Sequence, residues 1–347
     1  MSERLDDIGT YILPGRVVDP VPGIAQAVAA EAIGLGSVWV AERWEKKEVA
    51  ATLGALTQRT ERLRLVAGMT HFGTRHPIVV AGMAATLQAL SGDRFVLGFA
   101  RSVLALWKGL GIRPPTNESM GDYVRILRAL WAGETVSYDG PAGCFPSMRM
   151  PETPRVAPPV ILAAVGPKTL AVAGAHFDGV VLHPFLTPEG VRRSVEFVHE
   201  GAIRAGRKPG AVRVYAQVVV APDATAEEKA VAVDARAVTY FTLPEMGRQI
   251  AAMNGWAAGP VEALLADASL AGIELQKHSH AEMRGILLRA ARMLPGEWLE
   301  TGAAIGTAAR CAARLREYRA SGADEIVLHG TTPEKLGGLT QAYRALN

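Results

Sequence analysis

Short apolar runs alternate with helix-patterned stretches along most of the chain. Ile8–Leu13 reads as a strand, and Val21–Leu35 as a helix opened by Pro20 and Pro22 and closed by Gly34 and Gly36. Ser37–Val40, Leu63–Gly68 and Phe95–Phe99 follow as strands, separated by helical patterns over Lys47–Gln58 and Pro77–Leu90. Another helical pattern covers Gly121–Trp131. Val160–Ala163, Gly179–Leu182, Val212–Val220 and Glu325–Leu328 supply four more strands. Helices are expected over Pro167–Ala175, Pro188–Ala205, Thr307–Ala320 and Pro333–Leu346. The strands are mostly unbroken Val/Ile/Leu runs, as parallel strands covered on both faces require.

Eight strands, each followed by helix, is the pattern of a (β/α)8 barrel. A doubly wound sheet is the competing architecture, but no GxGxxG follows the first strand and the strand number suits closure better. We therefore expect an α/β fold, one TIM barrel spanning residues 1–347. The Ala-rich stretch Thr225–Leu299 exceeds one crossover and reads as a helical insertion between the seventh and eighth strands. The Pro- and Gly-rich run from Val136 to Pro159 reads as a surface hairpin or loop.

Composition narrows the function classes. The chain has 347 residues, is 49% hydrophobic and carries 37 basic against 34 acidic side chains with no dense basic block. That balance argues against nucleic-acid binding and polybasic membrane docking. No stretch approaches ~18 uninterrupted apolar residues, so no membrane span is expected. The acidic N-terminus lacks the features of a signal peptide, and a cytoplasmic location is the default. Cys144 and Cys311 lie far apart without CxxC or Cys/His spacing, which offers neither a disulfide framework nor a metal site. His278 and His280 are two apart and cannot share one helical face as metal ligands.

Five ordered segments carry a family resemblance: AEAIGLGSVWVAERW, TERLRLVAGMTHFGTRHPIVVAGMAATLQALSGDRFVLGFA, YVRILRALWAGETVSYDG, PPVILAAVGPKTLAVAGAHFDGVVLHPF and GTAARCAARLREYRASGADEIVLHG. Together they resemble the bacterial luciferase-like family of flavin- and deazaflavin-dependent oxidoreductases. The resemblance implies a barrel that binds coenzyme F-420 or flavin mononucleotide (FMN) at the C-terminal ends of its strands. It implies a phosphate on the loop Ala164, Val165 and Gly166, where glycine and a helix N-terminus present backbone N–H groups. It also implies a non-prolyl cis peptide at Gly68–Met69 behind the cofactor ring, with Thr70 and His71 beside it.

Where deazaflavin-dependent dehydrogenases carry an Asp-His pair after the second strand, this chain has Glu42 and Arg43. The acid is kept; an arginine cannot act as a base near neutral pH. After the fourth strand, Ala100–Val103 replace a glycine-rich, often acidic loop, which suggests a hydrophobic substrate pocket near Trp107. His183 and His329 end the sixth and eighth strands and share the geometry of an active-site face. His76, before Pro77, reads as a structural residue of a helix start. Lys168 reads either as an added charge for the phosphate or as a solvent-facing residue.

The expected activity is hydride transfer between coenzyme F-420 and a small, mainly hydrophobic organic substrate, with His71, His183 and Glu42 as acid/base or polarising groups. One alternative is an FMN-dependent monooxygenase supplied by a separate reductase. Another is a flavin-binding barrel without catalysis. A homodimer paired through the helices after the second and third strands is compatible with the apolar run AGMAATLQAL.

Overall fold

In the computed structural model, residues 3–15, 17–43, 46–268, 270 and 280–346 are described. Eleven strands are present among them: β1 (Leu5–Tyr11), β2 (Leu35–Val40), β3 (Arg64–His71), β4 (Phe95–Ala100), β5 (Val136–Gly140), β6 (Gly143–Met148), β7 (Val160–Ala164), β8 (Gly179–Leu182), β9 (Arg213–Pro222), β10 (Ala303–Gly306) and β11 (Glu325–His329). Eight of them pair in parallel in the ring β1–β2–β3–β4–β7–β8–β9–β11, and β11 returns to β1. This is the expected closed (β/α)8 barrel. β5 and β6 form an antiparallel hairpin in the Pro/Gly-rich run.

Two elements depart from the pattern read along the chain. The four-residue β10 follows the helix Gly296–Thr301 almost without a break, and it is too short to show a period of its own. Val219 pairs with His329 of β11 and also with Ala303 of β10. β10 therefore lies on the other side of β9, above β8, and extends the barrel rim where the insertion rejoins it. The second is the helix Leu104–Leu110, which opens the β4 crossover within a stretch taken for loop. Strand β2 starts at Leu35, because the first helix stops at Ala32 before the positive-φ Gly34.

The insertion is helical, as expected, with helices Ala226–Lys229, Ala235–Phe241, Pro244–Asn254, Gly259–Ala266, His280–Ala291 and Gly296–Thr301. His278 lies outside the described residues. No helix among the described residues is long and apolar enough to cross a membrane.

Side chains alternate along each strand, so residues two apart share a face. Tyr11, Trp39, Val66, Met69, Val96, Ile161, Val181, Tyr215 and Val327 point inward and form a cluster separate from the helix-facing core. At the N-terminal end this interior closes on a polar plug. Glu325, fully buried, accepts hydrogen bonds from Ser37 Oγ at 2.5 Å, Arg64 Nη2 at 2.7 Å and Arg213 Nη2 at 3.2 Å. Gly9 makes room for it, since a Cβ there would stand 1.9 Å from Ser37 Oγ.

Candidate active site

The same alternation fixes what faces the opposite, C-terminal mouth. Two residues beyond Trp39, Val181 and Val327 come Ala41, His183 and His329; β4 and β7 end inward on Ala100 and Ala163. Ala41, Ala100 and Ala163 pack on the interior cluster yet stay partly exposed. With Met69 they make a shallow apolar floor of small side chains. The Gly68–Met69 peptide is cis, and the β3–β4 register shifts between Ala67 and Thr70. Val66 and Met69, three apart, thus both face the interior.

Around this floor stand three histidines. His71 ends β3, its ring edge-on to Trp107 at 5.8 Å and its Nδ1 3.8 Å from Glu42 Oε2. Trp107 is itself buried and donates from Nε1 to the Arg101 carbonyl at 2.7 Å, so it backs His71 and belongs to the core. His183 Nδ1 lies 2.9 Å from the Pro184 carbonyl oxygen. A carbonyl only accepts, so Nδ1 carries the proton and Nε2 keeps a lone pair. Burial pulls the His183 pKa down to about 4, against a smaller upward pull from that carbonyl. His183 is therefore neutral near pH 7.

Glu42 is 4% exposed and ends in a dense set of donors. Thr70 Oγ1 donates to it at 2.5 Å, and Arg75 reaches both carboxylate oxygens, one at 3.1 Å. Burial alone would raise its pKa; contacts with His71, Arg75 and Thr70 together with the Arg75 charge outweigh this and hold it at about 2. Glu42 is thus a permanent carboxylate that orients His71 and Thr70. Sequence reasoning missed Arg75, whose loop position gave no hint of it; Tyr123 Oη, 3.2 Å from the Arg75 carbonyl, also fixes that loop.

On the far side, the helix Pro167–His176 begins at Gly166 with no side chain capping its first N–H groups. Ala164, Val165 and Gly166 are buried, whereas Lys168 is exposed. A Cβ on Gly166 would lie 2.8 Å from Gln249 Cδ, so the insertion helix Pro244–Asn254 is what approaches this glycine. His76 caps the helix Pro77–Ser91 by accepting from Ile78 N, as its structural reading implied.

The insertion contributes two side chains that the sequence did not single out. Arg236 and Tyr240, four apart on the helix Ala235–Phe241, share one face. Tyr240 Oη is 3.2 Å from His329 Nε2, and its ring meets His183 edge-on at 4.7 Å. Arg236 Nη1 is 3.4 Å from the same His329 nitrogen. Among the described residues no three His, Cys, Asp or Glu side chains gather as a metal site.

The sequence profile of the luciferase-like monooxygenase family matches residues 13–325, nearly the whole barrel. The chain belongs to this family. The luciferase-like chain is 32% identical over 202 residues to a 5,10-methylenetetrahydromethanopterin reductase of Methanolobus tindarius, covering 57% of this chain and 61% of the relative. It thus spans about three fifths of the length of the curated relatives it matches. Its fold matches the coenzyme F420 dependent tetrahydromethanopterin reductase of Methanopyrus kandleri with a TM-score of 0.78, at 18% identity and 99% coverage of both chains. An EDTA monooxygenase of Chelativorans sp. BNC1 matches with a TM-score of 0.65, at 17% identity, covering 98% of this chain and 92% of that one.

Proposed function

We propose that this luciferase-like protein is an oxidoreductase that binds coenzyme F-420 at the barrel mouth and passes a hydride between it and an organic substrate. The observation that carries this reading is the floor of Ala41, Ala100, Ala163 and Met69, an apolar platform of small side chains ringed by His71, His183 and His329. A flat ring system fits such a platform, and bulkier inward residues would fill it. The uncapped N–H groups after Gly166 fit an anion, so Ala164, Val165 and Gly166 would hold the phosphate. Gly68, Met69 and Thr70 would support the ring side. When bound, the deazaflavin supplies a two-electron hydride carrier. The preference for F-420 over FMN rests on the 30% identity over 218 residues to a putative coenzyme F420-dependent oxidoreductase of Mycobacterium tuberculosis.

The protein's own part is orientation and proton placement. His183, neutral with a lone pair on Nε2, accepts or returns a proton at the substrate oxygen. His71 polarises the same oxygen, and Glu42 acts as its positioning residue. Titration of the cofactor-free protein with coenzyme F-420 and with FMN, followed by tryptophan fluorescence, tests the reading. Micromolar F-420 binding and weaker FMN binding are expected. FMN binding with no response to F-420 favours the monooxygenase reading and overturns this one.

A further inference from the structure

Three cationic side chains gather in one sector of the mouth. Lys47, 3% exposed, donates from Nζ to the Leu13 carbonyl at 2.6 Å and the Gly15 carbonyl at 3.2 Å. Arg43 pairs with Lys47 through the backbone, and its charge and that of Arg236 reach the Lys47 ammonium. Burial first, and then these two charges, draw the Lys47 pKa down to about 8. Among the described residues, none of the three forms an ion pair with a carboxylate.

Hydrogen-bond donors also converge there. The Gly330 N–H points at His329 Nδ1 at 3.0 Å, so Nδ1 accepts and the neutral ring carries its proton on Nε2. That Nε2–H faces Tyr240 Oη at 3.2 Å and the Arg236 guanidinium, itself only a donor, at 3.4 Å. Once Tyr240 accepts from Nε2–H, its own hydroxyl proton is free to donate outward. If Nε2 accepted instead, the ring proton on Nδ1 would oppose the Gly330 N–H. In either arrangement donors confront donors, and an acceptor is missing.

The position of this sector matters. Counting round the ring, β1 and β7 are four strands apart, on opposite sides of the mouth. Leu13 and Gly15 follow β1, Arg43 and Lys47 follow β2, and His329 ends β11. Arg43 and Lys47 therefore lie across the floor from the Gly166 helix N-terminus, and Arg236 and Tyr240 reach His329 of β11 and His183 of β8 between the two.

We propose that Arg236, Tyr240 and His329, with the charges of Lys47 and Arg43 nearby, bind an oxyanion of the substrate, a carboxylate or a phosphate ester. This rests on the reading that the cofactor phosphate occupies the β7 side, at Ala164, Val165 and Gly166. It adds a charged group to the mainly hydrophobic substrate expected from the loop Ala100–Val103. The substrate becomes an acid with an apolar body: the body stacks above the cofactor ring on the alanine floor and the oxyanion lies against Arg236.

The test is calorimetric titration of the cofactor-free full chain with benzoate, phenyl phosphate and neutral benzamide in a non-phosphate buffer. One or both anions should bind, and benzamide should bind at least about tenfold more weakly, the worth of one charge-assisted contact. The stronger anion identifies carboxylate or phosphate as the group read. Arg236→Gln and Tyr240→Phe should each weaken the anion about tenfold, and Arg236→Lys should restore part of the loss. Equal binding of benzamide and the anions, no anion binding, or unchanged affinity in folded Arg236→Gln overturns the proposal. A parallel titration with FMN and riboflavin checks the source of the anion. If Arg236→Gln weakens FMN and spares riboflavin, the cluster holds a cofactor phosphate and the substrate assignment falls. Failure of F-420 and FMN to bind while benzoate or phenyl phosphate binds would overturn the cofactor reading and leave the oxyanion site standing.

Discussion

Glu42 and Arg75 meet in a two-pronged ion pair that ties the end of β2 to the loop after β3. Both partners are largely shielded, and Arg75 also reaches Glu48. Removing the charge leaves Arg75 without its main partner in a shielded site. Glu42→Gln should lower unfolding stability by about 3 kcal/mol in urea titrations. The carboxyl sits near 2 in the folded chain against an ordinary 4.5. The unfolded chain therefore takes up the proton first, so this stability is complete above about pH 4.5 and is lost as pH falls toward 2. The wild type should show this acid-limb loss, about 3 kcal/mol, and Glu42→Gln should not. Parallel acid limbs in the two proteins would refute the assignment.

His183 should titrate near pH 4 in the folded protein, with the proton on Nδ1 above that value. Because its folded pKa lies below the ordinary 6.5, the unfolded chain binds the proton first, and stability falls as pH drops from about 6.5 toward 4. Long-range nitrogen–proton NMR spectra read both the midpoint and the tautomer. A midpoint near 6.5, or an Nε2-protonated neutral ring, contradicts the geometry at Pro184.

The strand pattern made the barrel legible because a parallel strand buried on both faces must be apolar throughout, and such short Val/Ile/Leu runs recur between the helical patterns. His183 and His329 could be placed for the same reason: the end of a strand also marks the face of the barrel. The cis Gly68–Met69 bond was legible only through the family resemblance. Arg75, Arg236 and Tyr240 could not. Each acts through a partner far along the chain, Arg75 on Glu42 and the other two on His329 across about 90 residues. Local periodicity shows that Arg236 and Tyr240 share a helix face. It does not say what that face meets.

Two glycines should respond in opposite directions to alanine. A Cβ on Gly98 would stand 2.3 Å from the Ala67 carbonyl oxygen and 2.6 Å from Met69 Sδ, and the carbonyl is backbone that cannot turn away. Gly98→Ala should destabilise the protein by about 3 kcal/mol or more. Gly54 lies inside the helix Val49–Thr57 with nothing within 4 Å of the added carbon. Gly54→Ala should stabilise by about 0.5–1 kcal/mol. Thermal melts of the two variants with opposite shifts are the expected result; a tolerated Gly98→Ala would show that β3 and β4 are less closely apposed.

Ala100→Leu should fill the floor while leaving the barrel folded, since Ala100 is partly exposed at the mouth. Cofactor affinity measured by fluorescence should fall by about tenfold or more, with stability within about 1 kcal/mol of wild type. Unchanged affinity would move the cofactor off this platform.

The Glu325 plug closes the barrel from below, where Ser37, Arg64 and Arg213 converge on one buried carboxylate. Above it the interior is filled by side chains, so the proposed site is reached only from the opposite end, and two molecules stacked there would queue. On the proposed function, the cofactor resting on Ala41, Ala100 and Ala163 would arrive first and leave last, with the substrate above it. Turnover would then follow a compulsory sequence, and an excess of the outer molecule would delay the departure of the inner one.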